Sequence, residues 1–174
     1  MSGSGDGVRV RIAGTGLALP ERILTNAELE KMIDTTGEWI VQRTGIRERR
    51  LASPEETTSV LATRAASETL ERAGRSPRDV DMIIVATITP DNVFPCTACH
   101  VQRRLGVGPC AAFDVSAACS GFLHSLTVGW QMIAAGAYRN VLVIGAETMS
   151  RITDYTDRSS CILFGDGAGA VLLV

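Results

Sequence analysis

No apolar run in this 174-residue sequence is long enough to cross a bilayer, and no N-terminal stretch joins a basic start to an apolar run as a signal peptide does. A cytoplasmic protein without a membrane partner is therefore predicted. Net charge is also scarce: 17 basic and 19 acidic side chains leave −2, which gives no general reason to expect nucleic acid as a partner. Repeats and linkers are lacking beyond residues 1–7, whose Gly and Ser content predicts a flexible tail. Apolar mass is what the sequence does have. At 45% hydrophobic residues it can bury a substantial core, which excludes disorder, and its length fits one large or two small domains. In the cytoplasm its five cysteines, Cys96, Cys99, Cys110, Cys119 and Cys161, are expected as free thiols and not as a disulfide framework. Arg47, Arg49 and Arg50 are a cluster that could bind anions, but read first as a solvated basic turn.

Val8, Val10 and Ile12 alternate with Arg9 and Arg11, the period of a half-exposed strand ending near Gly14. Thr25 and Glu28 stand at capping-box spacing and predict a short helix to about Ile33. Helices are predicted over Gly37–Thr44, Thr58–Ala73 and Thr97–Leu105, stopped by Gly45, Gly74 and Gly106. Buried strands are predicted over Val80–Ile88, Cys110–Val115, Asn140–Glu147 and Ala168–Val174, with a further helix from about Ser120 to Ala135 ended by Gly136. Continuous apolar strands separated by helices predict an α/β fold, its sheet parallel or mixed and covered on both faces.

Phe113-Asp-Val-Ser-Ala-Ala-Cys119-Ser-Gly-Phe122 is the most informative stretch. It sets a cysteine where a buried strand turns into a helix, and unpaired N–H groups and the helix dipole favour a thiolate there. Ala117, Ala118, Ser120 and Gly121 are small and leave an acyl thioester a way in, which is the logic of a strained nucleophile turn. A small buried hydrophobe is the competing reading of Cys119, and the junction alone leaves both open.

Four segments in register carry a resemblance. Asp34-Thr-Thr-Gly-Glu-Trp-Ile-Val-Gln-Arg-Thr-Gly-Ile-Arg-Glu-Arg49 resembles the coenzyme-A-contacting segment of the β-ketoacyl-acyl-carrier-protein synthase III family, and Phe113–Phe122 resembles its nucleophile motif. Thr156-Asp-Arg158 and Phe164-Gly-Asp-Gly-Ala-Gly-Ala170 resemble two further segments of that family, in its order. The resemblance runs from about Val8 to Val174 and implies one half of a thiolase-like fold, with a five-stranded mixed sheet and covering helices. It also implies an acyltransferase of type II fatty-acid synthesis. An acyl group passes from coenzyme A to the cysteine and then condenses with decarboxylating malonyl-carrier protein.

Carried over position by position, the resemblance makes Cys119 the catalytic nucleophile. Trp39 and Arg158 would sandwich the adenine of coenzyme A, while Arg43, with Thr35 nearby, would contact its phosphates or base edge. Met149 and Phe164 would line the acyl pocket, and Phe94 would reach into a partner subunit, implying a homodimer. Acyl-CoA is a substrate in this scheme; no cofactor and no metal are expected. The family's condensing His and Asn come from a second, C-terminal half, which is expected to be absent from this chain. His100 and His124 match neither position, and His124 is expected to pack in the core.

Cys96-Thr-Ala-Cys99-His100 matches the c-type haem pattern and, in part, a redox Cys-x-x-Cys. The missing export signal argues against haem, a fourth ligand for zinc is not apparent, and the family's helical register accounts for the segment. Gly165-Asp-Gly-Ala-Gly169 lacks the full dinucleotide pattern and reads as close packing before a strand. Other functions weighed are a non-catalytic partner subunit, a haem or thiol-redox protein, and a polyketide-initiating or 3-hydroxy-3-methylglutaryl-type condensing enzyme. The retained Cys119, Trp39, Arg43 and Arg158 oppose decay of the site, and the Trp39–Arg49 segment favours the fatty-acid enzyme.

Overall fold

The computed structural model describes residues 9–174, so the predicted tail at 1–7 and Val8 lie outside the described residues. A five-stranded sheet organises them in the order β1 (Ile12–Ala18), β7 (Asp166–Leu173), β6 (Val141–Thr148), β4 (Met82–Ala86) and β5 (Ala111–Val115). β4 runs parallel to β5 and β6, while β7 is antiparallel to β6 and β1. The sheet is therefore mixed. Helices α3 (Thr58–Ala73) and α4 (Thr97–Leu105) cover one face, and α5 (Gly121–Ala134) covers the other. Along β4, Ile83 and Val85 point into the α3/α4 layer while Met82 and Ile84 point toward α5. Both sets are buried, which is why the strand reads as an unbroken apolar run. Each such side chain stabilises the fold by about 1.5–3 kcal/mol relative to leaving it in water.

Local chemistry sets the helix ends. Thr25 and Glu28 form the expected capping box at α1 (Asn26–Leu29), which closes a few residues short of Ile33. Helix α2 (Gly37–Thr44) starts on the Thr36 side chain and ends at Gly45, whose left-handed φ of 73° a residue without Cβ adopts freely. Helices α3 and α4 also keep their predicted bounds. No helix among the described residues is long and apolar enough to cross a membrane.

Three expectations change. β1 does not end near Gly14 but continues to Ala18, because Gly14 and Gly16 lie where α3 packs onto the strand. A Cβ on Gly16 would stand 2.4 Å from the Ala65 carbonyl oxygen, so close approach, and not strand termination, explains these glycines. Second, β2 (Arg22–Thr25) pairs antiparallel with β3 (Glu48–Leu51), a ladder too short and too charged to stand out in the sequence. Third, Arg49 is not part of a solvated turn. It is buried, its Nη1 donating to Asn26 Oδ1 at 2.6 Å and its Nη2 to the Ile162 carbonyl at 2.6 Å.

Candidate active site

The parallel strands β4, β5 and β6 end at one edge of the sheet, and the antiparallel β7 begins there, with Thr148 opposite Asp166. In open α/β sheets that edge is where loops and helix starts gather around a ligand. β5 passes through Ser116 into a single turn at Ala118–Ser120 and then directly into α5. Ala118 takes φ 46°, a left-handed conformation that costs an alanine on the order of 1 kcal/mol. The turn is held on one side by Ser120, whose N–H and Oγ both donate to the Ala117 carbonyl, at 3.2 and 2.9 Å. Gly121 lets α5 start against the sheet, since a Cβ there would approach Ala86 Cβ to 3.2 Å. The result is an exposed Cys119, not a buried one. It opens on a cleft of about 370 Å³ whose walls include Leu19, Ala86, Phe122, Gly145 and Glu147. His124 is exposed on α5, contrary to the expectation of core packing, because Ser125, Gly129 and Ile133 form the stripe that faces the sheet.

A second cavity, of about 610 Å³, gathers Trp39 and Arg43 of α2 with Asp157, Arg158 and Leu163 of the segment before β7. The guanidinium carbons of Arg43 and Arg158 lie 4.9 and 4.7 Å from the Trp39 ring centroid, so both cations rest on the indole. Arg158 also donates to the Asp34 carbonyl at 3.0 Å, tying its turn back to the segment before α2. Beside it, the hydroxyls of Ser160 and Ser159 hold the Asp157 carboxyl down to about 2. The structure thus brings Trp39, Arg43 and Arg158 together across the chain. Arg158 lies directly on the ring, so a base entering between them would have to displace the guanidinium. Thr35 Oγ1 is buried without a hydrogen-bond partner.

Met149 and Phe164 stand at the same sheet edge as Cys119, one following β6 and the other preceding β7; both are half-buried, and neither lines the Cys119 cleft. Phe94 is 88% exposed and its neighbour Val93 98% exposed, in the loop between β4 and α4. Carboxylates that the sequence reading passed over order these loops. Glu147 accepts from Ile88 N at 2.9 Å, Thr89 N at 3.1 Å and Thr87 Oγ1 at 3.2 Å, clamping the start of the Phe94 loop. Asp166 accepts from Ala52 N and Ser150 N, at 2.7 and 2.8 Å, and so joins β3 to the turn after β6. Each interrupts or closes an apolar run, and that was the available signal: a charge there needs a partner.

Fold and site together define one half of a thiolase-like α/β fold, carrying an exposed cysteine at the strand-to-helix turn. The 3-oxoacyl-[acyl-carrier-protein (ACP)] synthase III family profile matches residues 113–174. Curated relatives from Thioalkalivibrio sulfidiphilus and Caldanaerobacter subterraneus subsp. tengcongensis, both named beta-ketoacyl-[acyl-carrier-protein] synthase III, are 61% and 59% identical. These matches take in 94% and 93% of this chain but 51% and 49% of the relatives, so the chain spans about half their length. The solved 3-oxoacyl-[acyl-carrier-protein] synthase III of Aquifex aeolicus superposes with a TM-score of 0.94 at 53% identity, over 95% of this chain and 54% of that one. The priming beta-ketosynthase of the R1128 polyketide pathway superposes with a TM-score of 0.93 at 40% identity, over 96% of this chain and 50% of that one. In sequence and fold the chain is similar to about half the length of β-ketoacyl-acyl-carrier-protein synthases III.

Proposed function

We propose that this chain supplies the acyl-accepting half of an initiating condensing enzyme of type II fatty-acid synthesis, acting in the cytoplasm. The observation that carries the reading is the exposed Cys119 on its strained turn, at the mouth of a cleft, in a chain related to β-ketoacyl synthases III. The Cys119 sulfur attacks the acyl-CoA thioester carbonyl, the acyl group moves to sulfur, and coenzyme A leaves as its thiol. Trp39, Arg43 and Arg158 receive the nucleotide end of coenzyme A. An indole face and two guanidiniums suit a purine and phosphates, and the present stack of Arg158 on Trp39 opens to admit the base.

Condensation with malonyl-carrier protein then needs donors to the developing enolate. These are the His and Asn of a second half, since exposed His124 is directed away from the sheet and the half-buried His100 of α4 lies near Asn92 of the preceding loop. The exposed Phe94 and Val93 support a homodimer in which this loop enters the neighbouring subunit. Relatives at 61% and 59% identity favour the fatty-acid reading over the polyketide one, whose priming synthase stands at 40%. The test is malonyl-dependent formation of ketoacyl product by the full-length protein and by its Cys119→Ala variant. Product in the first and none in the second is expected; undiminished product from the variant would overturn the reading.

A further inference from the structure

Cys96 and Cys99 lie outside both the Cys119 cleft and the Trp39 cavity. Cys96 is the residue on which α4 begins, and Cys99 is its third helical residue. Side chains at that spacing face one another over the first turn, the relation that capping pairs exploit. Here another group does the capping: the Asp114 carboxylate on β5 accepts from Thr97 N and Ala98 N at 2.7 and 2.8 Å. Cys96 makes no side-chain bond to the helix start, and its sulfur lies 3.4 Å from Cys99 Sγ. Both are half-buried free thiols. The hydrogen bond with Cys96 and burial hold the Cys99 thiol above its ordinary range, so it keeps its proton beside its neighbour at neutral pH.

We propose that Cys96 and Cys99 form a reversible dithiol–disulfide couple at the start of α4. Closing the bond brings the sulfurs from 3.4 Å to about 2.05 Å without recruiting a distant residue. The co-reactant is a low-molecular-weight disulfide. Cys96, as thiolate, attacks one sulfur of that disulfide, forming a mixed disulfide and releasing one thiol. Cys99 then gives up its proton and attacks the Cys96 sulfur, closing the protein disulfide and releasing the second thiol. The protein pair loses two electrons and two protons, and the small disulfide gains them as two thiols. The couple sits directly after the exposed Phe94 and on a helix that Asp114 ties to the strand leading to Cys119. Oxidation therefore acts between the two ends of the proposed site, although the couple does not depend on Cys119 being the nucleophile.

The test is to equilibrate the purified protein with graded ratios of reduced and oxidised glutathione, quench with acid, alkylate under denaturing conditions and map the peptides. The expected result is joint loss of Cys96 and Cys99 from alkylation and recovery of a Cys96–Cys99 bridge, reversed by dithiothreitol. In Cys99→Ser, Cys96 should stop at the mixed disulfide with glutathione. A Cys119→Ser background should leave the bridge unchanged, which separates this inference from the proposed function. Both thiols remaining alkylatable in fully oxidising buffer, glutathione capping each without a bridge, or a bridge that needs Cys119 would each overturn the proposal.

Discussion

A cysteine reacts as its thiolate, so the thiols of this chain should not react alike. Burial pushes the Cys110 and Cys161 thiols up, whereas Cys119 is exposed at the mouth of its cleft. Iodoacetamide on the folded protein should therefore label Cys119 before Cys110 or Cys161. Peptide mapping that found Cys119 the slowest would remove it as a nucleophile. At the other cavity, Trp39→Ala should weaken acyl-CoA binding by about 1–3 kcal/mol, the scale of one base-stacking contact, as read by titration calorimetry. Unchanged affinity would mean that the indole does not hold the base. Cys119, Trp39, Arg43 and Arg158 were singled out by the family resemblance and not by residue type alone; the structure gathers the last three around one cavity and sets Cys119 on another. The strain at Ala118 was not legible at its own position, because alanine ordinarily avoids positive φ and only the packed junction around it fixes the angle. The partners of Arg49, Glu147 and Asp166 were hidden for a similar reason: they lie far off in sequence, and only the closed sheet brings them near.

Among the elements, the helices were the most legible, because glycine stops and apolar periodicity are local signals, and α2, α3 and α4 keep their predicted bounds. β1 was misplaced because its glycines answer to α3, an element some fifty residues away, and not to the strand itself. Gly16→Ala should accordingly destabilise the fold by about 1–3 kcal/mol, since its Cβ would meet helix backbone that cannot swing aside. Urea unfolding with an unchanged midpoint would contradict this packing. Asp114→Ala removes the carboxylate that caps α4 and should cost about 1–2 kcal/mol by the same measurement. In the turn that carries Arg158, the Asp157 carboxyl is held at about 2 by Ser160 and Ser159. A depressed carboxyl contributes in full above its unfolded pKa of about 3.9 and loses that contribution progressively as pH falls from there through the folded value. An NMR titration of Asp157 should thus show a midpoint near 2; an ordinary carboxylate midpoint would mean that the serines do not hold it.

At the scale of the whole molecule, the α/β class was legible from apolar strands alternating with helices, which left the sheet parallel or mixed; that it is mixed was implied by the resemblance. The order β1-β7-β6-β4-β5 was not, because strand pairing is set by how crossovers pack and leaves little trace in local pattern. Leu123 and Trp130 lie exposed on α5, and a second half packed on that helix would cover them, as the proposed two-half enzyme requires. That enzyme stands or falls on one covalent bond. The full-length protein should be incubated with acetyl-CoA, quenched in acid, digested and mapped by mass spectrometry for the acetyl group. A single acetyl thioester on Cys119 is expected, lost in Cys119→Ala together with all ketoacyl product. An acetyl group on another residue, or ketoacyl product formed without one on Cys119, would contradict it.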